Sequence, residues 1–149
     1  MAERIPVAAD HAGFDQKEVV VRHLRARGFD VDDKGTHSSA PTDYPDYAHP
    51  VARDVSDGKV RRGVLLCGSG QGMAMAANRY PHVRAALAWN AEMAALASAH
   101  NDANVLVLPS RFVSDDDARA MVDAWLDTPF EDGRHTPRVK KIDRPEDNA

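Results

Sequence analysis

Side chains capable of acid–base and anion-binding chemistry stand next to the apolar segments that we predict to be β-strands. They comprise carboxylates, imidazoles, a thiol, hydroxyls and a guanidinium in four short stretches: Asp10-His11, Cys67-Gly68-Ser69-Gly70-Gln71-Gly72, His100-Asn101-Asp102 and Ser110-Arg111. Open α/β sheets bind ligands just beyond the carboxyl ends of their strands. We therefore expect these groups to converge near one edge of a sheet, with His100 reaching across from the end of a helix. Such an inventory is typical of an enzyme.

The glycine-rich stretch after Cys67 is the most informative of the four. Glycines at 68, 70 and 72 let main-chain N–H groups approach a ligand closely and form an anion-binding nest at the start of a helix. The stretch does not match nucleotide-binding fingerprints, because Met73 stands where a dinucleotide motif needs glycine and no Gly-Lys-Ser or Gly-Lys-Thr follows. A tight strand-to-helix connection without a ligand is the alternative interpretation.

Each reactive side chain also has an ordinary structural interpretation. A lone cysteine in a protein is commonly a small buried apolar residue. At a strand end facing the amides of a helix, however, Cys67 is predicted to have a stabilised thiolate and a pKa lowered toward neutrality. Asp10 could be the N-cap of the first helix, His11 a surface histidine, and His100 a helix C-cap.

Short apolar segments alternate with helical patterns, and this alternation defines the elements that position these groups. The predicted strands cover residues 5–9, 29–32, 63–67, 83–88 and 104–108, and the last three have the continuous apolar character of buried strands. Helices are predicted at 13–27, within 42–54, at 71–79, at 91–100 and from 114 onward. Gly28 is expected to end the first helix, and Ser114 with Asp117 to begin the last. The pattern predicts a three-layer, Rossmann-like, doubly wound α/β sheet of about five parallel strands.

Length and composition exclude several classes of protein. The 149 residues have the size of one domain, so we assign 1–149 to a single unit. Hydrophobic residues make 43% and charged residues 28% of the chain, which excludes a largely disordered protein. No apolar stretch approaches the roughly 20 residues of a membrane span, and the apolar run at 5–9 stops at Asp10, so we expect no signal peptide and a cytoplasmic location. A single cysteine excludes an internal disulfide.

The charge is unevenly distributed along the chain. The net charge of -4 argues against a general nucleic-acid-binding protein. Residues 134–144 are nevertheless basic, with Arg134, Arg138, Lys140, Lys141 and Arg144 against Asp143. A solvated charge run is the ordinary interpretation of such a segment.

The segment from about residue 130 has too few apolar residues for another core layer. We therefore expect it to form an extension, about 130–149, that packs on a neighbouring subunit. Within it, Thr136 and Pro137 are predicted to be the N-cap and first residue of a short helix.

Several separate motifs together resemble one family. They are Ala9-Asp10-His11-Ala12-Gly13-Phe14, Asp33-Lys34-Gly35-Thr36, Thr42-Asp43-Tyr44-Pro45, Cys67-Gly68-Ser69-Gly70-Gln71-Gly72 with Ala76-Ala77-Asn78, His100-Asn101-Asp102-Ala103-Asn104-Val105, Ser110-Arg111, and Gly133-Arg134-His135 with Arg138. In this order and spacing, which extend to about residue 142, the sequence resembles the ribose-5-phosphate isomerases of the B type, a group that includes galactose-6-phosphate isomerase subunits.

The resemblance implies an isomerisation between an aldose and a ketose through a cis-enediolate, with neither a metal nor another cofactor. The substrates it implies are ribose 5-phosphate and ribulose 5-phosphate. It assigns to Cys67 the role of the base that moves a proton between C2 and C1. Some relatives carry a glutamate just after the glycine loop, where this chain has Met73, so the chain is similar to the cysteine-dependent branch.

The resemblance also implies roles for the other candidate residues. His100 would open the furanose ring, with Asp10 near the reacting hydroxyls. Ser69, Asn101 and the main-chain amides of the glycine loop, formed by Gly68, Gly70, Gln71 and Gly72, would stabilise the enediolate. The phosphate would be held by His11, Arg111, Arg134 and Arg138.

The last two arginines, Arg134 and Arg138, are implied to come from a neighbouring subunit. The assembly expected is a homodimer or homotetramer with active sites shared between subunits.

Two other functions compete with this one. The first is isomerisation of another sugar phosphate of four or six carbons, because pocket length decides the substrate and sequence does not measure it. The second is a non-catalytic α/β module that binds a phosphate-bearing ligand, which would need no cysteine at position 67.

Overall fold

Strands and helices alternate along the chain in the order that the sequence predicts. A computed structural model describes residues 1–144, so the last five residues of the predicted C-terminal extension lie outside the described part. No helix in this part combines the length and apolar character that crossing a membrane requires. The elements are β1 (Arg4–Ala9), α1 (Phe14–Ala26), β2 (Asp30–Asp33), α2 (Tyr44–Ser56), β3 (Gly63–Cys67), α3 (Gln71–Ala77), β4 (Ala85–Leu87), α4 (Ala91–Asn101), β5 (Val105–Pro109), α5 (Asp115–Asp127), a 3-10 turn (Gly133–His135) and α6 (Thr136–Asp143).

The five strands form one parallel sheet in the order β2-β1-β3-β5-β4. The chain runs from β1 outward to β2 and then returns past β1 to β3, so the direction of winding reverses between β1 and β3. A crevice forms beyond the carboxyl ends of the strands at such a reversal. The predicted parallel sheet is confirmed, and its topology brings the residues after β1 and β3 side by side.

Helices cover both faces of the sheet. On one face α1, α4 and α5 bury a cluster that includes Leu24 and Trp125, and on the other α2 and α3 bury a cluster that includes Val51. Side chains of β3 alternate between the two, with Leu66 in the first cluster and Cys67 in the second. This double burial explains the continuous apolar character of β3 and confirms the three-layer architecture.

The fourth strand is shorter and more exposed than the sequence predicts. A buried strand at 83–88 was expected, but β4 covers only Ala85–Leu87, lies at the edge of the sheet and is half-buried. The side-chain amide of Asn78 donates to the carbonyl of Ala85 at 2.9 Å and accepts from its N–H at 2.9 Å. Asn78 thus satisfies part of the free edge that a neighbouring strand would otherwise pair.

Most of the predicted helix ends are confirmed. Gly28 follows α1 with a φ of +93°, and the Ser114 hydroxyl caps α5 by accepting from the N–H of Asp117 at 3.1 Å. The prediction for the last helix is wrong by one residue. Thr136 is already helical, with φ -55° and ψ -50°, because the preceding 3-10 turn runs directly into α6 and leaves His135 as its N-cap.

The described part of the C-terminal segment is anchored on its own chain. The N–H of Glu131 donates to the carbonyl of Ala99 at 3.0 Å, and Asp143 forms an ion pair with Arg84 at 3.0 Å. Val139 of α6 is buried. Packing of the same segment on a second subunit stays a prediction.

Candidate active site

Asp10 is buried at the carboxyl end of β1, and two main-chain N–H groups fix its carboxylate. Its Oδ1 accepts from Ala12 at 3.0 Å and from Gly13 at 3.1 Å, which closes the turn that leads into α1. The N-cap of the helix is Gly13, which packs on the main chain of Leu66. Asp10 is therefore not the N-cap that its position allowed, and its carboxylate is held at the crevice between β1 and β3.

The next residue, His11, is held in one tautomer by a reciprocal pair of hydrogen bonds. The N–H of Thr42 donates to His11 Nδ1 at 3.1 Å, and the N–H of His11 donates to Thr42 Oγ1 at 3.2 Å. Because Nδ1 accepts, the proton of the neutral ring resides on Nε2. His11 can thus donate a hydrogen bond to an anion without being protonated.

The glycine loop wraps around the thiol of Cys67. The main-chain N–H groups of Met73, Gly70 and Gly72 lie around the sulfur and favour its thiolate form. Gly70 has a φ of +78°, and a Cβ on it would lie 2.4 Å from the side chain of Leu87, so both its conformation and its surroundings require glycine. The predicted nest is present, and its amides are directed at Cys67.

The predicted lowering of the Cys67 pKa is wrong. Burial raises the pKa of the Cys67 thiol, and the nearby Asp10 carboxylate raises it further, while the amides of Met73, Gly70 and Gly72 lower it only in part. Removing a thiolate from water costs more than the three amides return. The surroundings of Cys67 within one chain therefore favour the thiol over the thiolate.

Arg111 lies over the start of the same loop. The main-chain N–H of Arg111 donates to the carbonyl of Gly68 at 3.0 Å, and a Cβ on Gly68 would lie 3.0 Å from the Arg111 guanidinium. Ser69 and Gln71 are exposed on the loop, with the Ser69 hydroxyl accepting from the N–H of Gln71 at 3.4 Å. Arg111 is exposed and has no ion-pair partner within residues 1–144. A cation is thus available next to the nest.

The second group of predicted site residues lies at the opposite edge of the sheet. Helix α4 begins after β4 and its 11 residues run back toward the amino ends of the strands, a path of about 16 Å. His100 and Asn101 form its last turn, and Asn104 just beyond them accepts from the N–H of Gly63 at the start of β3. The expectation that His100 and Asn101 meet Cys67 within one chain is therefore wrong, because a helix between parallel strands returns to the amino edge.

Arg134 and Arg138 lie in the segment that is anchored at this amino edge. Both are exposed, and neither has an ion-pair partner within the described residues. A cavity of about 830 Å³ also opens at this edge, beside Asn101 and Ile142 rather than over Cys67. The structure therefore divides the predicted site residues of one chain into two groups, which we call the carboxyl-edge set (Asp10, His11, Cys67–Gly72 and Arg111) and the amino-edge set (His100, Asn101, Arg134 and Arg138).

His100 belongs to a compact cluster with two residues of the C-terminal segment. Its ring stacks on that of His135, with centroids 4.3 Å apart and planes at 13°. Glu131 Oε1 lies 3.7 Å from His100 Nε2 and 3.4 Å from His135 Nε2. His135 is buried, whereas Glu131 is more than half exposed.

The ligand atoms of this cluster lie within 4.8 Å of one another, which raises the question of a metal. Imidazole binds a transition metal in the plane of its ring, at about 2.1 Å from the nitrogen. Because the two rings are nearly parallel and stacked, their lone pairs run side by side and do not converge on one ion. We assign no metal to this cluster.

Four residues that lie beside these two sets have no role that the sequence alone predicts. Thr42 holds His11, and the ring of Tyr44 lies so close to Gly72 that a Cβ there would be 2.5 Å away. Glu131 and His135 surround His100. Three of the four belong to the motifs 42–45 and 133–135, so the sequence marked these segments as part of the family pattern. Only the fold shows which residue each of them contacts.

Comparisons with known proteins identify the family to which the chain belongs. Residues 5–142 match the family model described as ribose/galactose isomerase. The chain is 46% identical over 140 residues to ribose-5-phosphate isomerase B of Escherichia coli K12, covering 94% of each sequence. A solved ribose 5-phosphate isomerase from Thermotoga maritima is 47% identical with a TM-score of 0.92, covering 96% of this chain and 99% of the other. Ribose-5-phosphate isomerase B of Mycoplasma genitalium, solved with bound ribulose-5-phosphate, is 42% identical with a TM-score of 0.94, covering 100% and 99%.

Proposed function

Since the chain belongs to the ribose/galactose isomerase family, we propose that it interconverts ribose 5-phosphate and ribulose 5-phosphate through a cis-enediolate. The observation that carries the proposal is Cys67, seated at the switch point of the sheet under the amides of the glycine loop and beside Asp10. The relatives from Escherichia coli and Mycoplasma genitalium support the five-carbon substrate, because both are named ribose-5-phosphate isomerase B.

The chemistry assigned to Cys67 is a proton transfer between adjacent carbons. The thiolate takes the proton from C2 of the open-chain aldose, electrons move onto the carbonyl oxygen at C1, and an enediolate forms. The same thiol then returns a proton to C1, and the hydroxyl proton on the C2 oxygen is transferred to the C1 oxygen as C2 becomes the carbonyl, so no atom is gained or lost. One base serves both carbons only if it lies over the plane of the enediolate, and fixed donors must stabilise the developing oxyanion.

The donors assigned to the enediolate are Ser69 and the loop main chain, with Asn101 from a second copy. Main-chain donors held by a rigid turn stabilise the charge without reorganising during the reaction. Since the amides of Gly70, Gly72 and Met73 already contact the sulfur, they also share in stabilising the thiolate. The raised pKa of the Cys67 thiol means that the cations of a completed site must favour its deprotonation.

Phosphate recognition is assigned to two faces of the site. His11 contributes its Nε2–H and Arg111 a permanent positive charge from the carboxyl-edge set. Arg134 and Arg138 contribute two further guanidinium groups from a second copy. Arginine suits a phosphate because it stays charged and offers paired donors. Anchoring the phosphate places C1 and C2 against Cys67.

From the separation of the carboxyl-edge and amino-edge sets, we infer a site that is shared between subunits of a homodimer or homotetramer. Within one chain, the amino-edge set is about 16 Å from the carboxyl-edge set, roughly the length of β3 or α4. Because a side chain is shorter than that distance, we assign His100 and Asn101, as well as the two arginines, to a second copy. The sequence had attributed only the arginines to a neighbour.

Solvent exchange tests the reaction. In D₂O, the parent protein should introduce deuterium at C1 of ribulose 5-phosphate, and Cys67→Ala should lower that rate by about a thousandfold, a typical loss for a proton-transferring group. Binding of ribulose 5-phosphate to Cys67→Ala, measured by calorimetry, should persist. Val55→Ala trims another buried side chain of the same core cluster and controls for packing. Exchange at the parent rate in Cys67→Ala would remove Cys67 as the base.

A substrate panel tests the sugar. The catalytic efficiency should be highest for ribose 5-phosphate among aldose phosphates of four, five and six carbons. A higher efficiency for a six-carbon phosphate would assign the chain to that substrate within the same chemistry. Binding of all the phosphates without exchange of any carbon-bound hydrogen would indicate a non-catalytic phosphate-binding module.

A further inference from the structure

Glu131 lies beside the Nε2 atoms of two stacked imidazoles, those of His100 and His135, and has no role in the reaction described above. We propose that Glu131 is a positioning residue for His100, directing the Nε2–H of that ring to its own carboxylate and leaving Nδ1 for proton transfer during opening of the sugar ring. This inference rests on the proposed function, because it concerns the step that precedes enediolate formation.

The main chain fixes Glu131 beside His100. Its N–H donates to the carbonyl of Ala99 at 3.0 Å, which satisfies one of the free carbonyls in the last turn of α4. The connection joins Glu131 to the residue directly before His100. The main chain of Glu131 is therefore held at the end of the helix that carries the imidazole, and its half-exposed carboxylate places Oε1 at 3.7 Å from His100 Nε2.

His135 completes the orientation of the ring. Its side chain is only 8% exposed, it is the last residue of the short 3-10 turn, and its main-chain N–H donates to the carbonyl of Asp132 at 3.1 Å. Its ring covers one face of the His100 imidazole at 4.3 Å. Stacking restricts the plane of the His100 ring. Within that plane, the Glu131 carboxylate favours the orientation that directs Nε2 toward it. Nδ1 is the nitrogen left for a ligand.

The chemistry of ring opening needs a nitrogen in a defined protonation state. As the bond from C1 to the ring oxygen O4 breaks, O4 takes a proton from Nδ1 of the His100 imidazolium, and the hydroxyl on C1 gives its proton to the Asp10 carboxylate. The aldehyde forms with no net change in protons. The imidazole that remains carries its proton on Nε2, the tautomer that a carboxylate at Nε2 stabilises. Without Glu131 the neutral ring divides between its two tautomers, and the fraction that carries the proton on Nδ1 has no Nδ1 lone pair with which to exchange the proton of O4.

The two directions of the reaction separate this role from that of Cys67. Ribulose 5-phosphate forms no furanose ring, because its C5 oxygen carries the phosphate, so hydrogen exchange at its C1 requires the base but not ring opening. Glu131→Gln should lower the turnover of ribose 5-phosphate by about tenfold, the usual scale for losing a carboxylate that orients a histidine. Exchange of deuterium into C1 of ribulose 5-phosphate should stay within about twofold of the parent rate.

Two controls make the comparison specific. Asp30→Asn removes an exposed carboxylate at the amino edge of the far strand β2 and should change neither rate. His100→Ala should show the same selective loss as Glu131→Gln, and the double variant should lose no more than His100→Ala alone. Nitrogen NMR of the histidine rings gives an independent readout, in which Glu131→Gln should raise the population of the Nδ1–H tautomer of His100.

Equal losses in both assays, or no loss in either, would overturn the role of Glu131. An unchanged tautomer population in Glu131→Gln would overturn it as well. A parent protein that neither converts ribose 5-phosphate nor exchanges C1 of ribulose 5-phosphate would instead overturn the proposed function, so the two failures are distinguishable.

Discussion

Mixing two individually impaired variants should restore activity if each active site is built from two copies of the chain. Cys67→Ala disables the carboxyl-edge set, and Arg134→Ala weakens the amino-edge set. Loss of a charge-assisted bond between an arginine and a phosphate costs about 2 kcal/mol, which is a decrease of about thirtyfold. The two residues lie at opposite edges of the sheet within one chain, so a mixed dimer can reunite an intact pair.

The size of the recovery follows from the geometry. Random re-association of equal amounts of the two variants makes about half of the dimers mixed. Each mixed dimer contains one site that has both Cys67 and Arg134 and one site that has neither. The mixture should therefore regain about a quarter of the parent activity, well above the residual activity of either variant alone.

The assay follows conversion of ribose 5-phosphate to ribulose 5-phosphate after the subunits have exchanged. Labelling one variant with heavy isotopes lets native mass spectrometry measure the fraction of mixed dimers in the same sample. The control mixes the parent with a chain that carries both Cys67→Ala and Arg134→Ala. If sites are shared, its mixed dimers contain no intact site and the sample keeps about a quarter of the parent activity, whereas unshared sites would leave about half.

Two results would refute the reasoning. One is the absence of recovery in a sample whose mixed dimers are confirmed by mass. The other is half of the parent activity in the control mixture. Either outcome would mean that each site takes Cys67 and Arg134 from the same chain, and that the assignment of the amino-edge set to the partner's site is wrong.

Three further predictions concern single contacts. Because burial raises the pKa of the Cys67 thiol, its alkylation rate should reach half-maximum at a higher pH than that of free cysteine under the same conditions, and a lower midpoint would contradict this. Thr42→Val removes the oxygen that accepts from the His11 N–H and should raise KM for ribose 5-phosphate about fivefold, from a loss of about 1 kcal/mol, with kcat unchanged; a loss confined to kcat would contradict the positioning role. Lys17 is fully buried and paired with Asp33 at 2.8 Å, so Lys17→Met should destabilise the fold by about 3–5 kcal/mol in urea unfolding, and adding Asp33→Asn should recover part of it. Burial opposes ionisation of Asp33, but the hydrogen bonds from Lys17 and from a main-chain amide outweigh it and lower the pKa of Asp33. The stabilisation from the Lys17–Asp33 pair is therefore present at neutral pH and is lost as the pH falls through the folded-state pKa of Asp33. If the stability of Lys17→Met is equally sensitive to acid, the pairing is contradicted.

Local patterns in the sequence determined the fold and the chemical groups of the site. The alternation of apolar strands with helical segments requires a parallel sheet, because each crossover helix must return the chain to the same edge. The spacing of glycines after Cys67 predicted a loop that brings main-chain N–H groups to a strand end, and the loop is present. The same element order already places the end of α4 at the amino edge of the sheet. It therefore contradicts the expectation that His100 joins the groups at the carboxyl edge.

Properties that depend on distances through space were decided only by the tertiary structure. The sign of the Cys67 pKa shift is a balance among burial, the Asp10 charge and three amides, and none of these is encoded in the residues adjacent to Cys67 alone. The tautomer of His11 depends on the N–H of Thr42, 31 residues away, and the environment of His100 depends on a carboxylate and a second ring that follow it by 31 and 35 positions. The sequence determines the strands, the helices and the groups at their ends because propensity and pattern act between neighbouring residues. Ionisation and hydrogen bonding depend instead on the groups that the fold brings within a few ångströms.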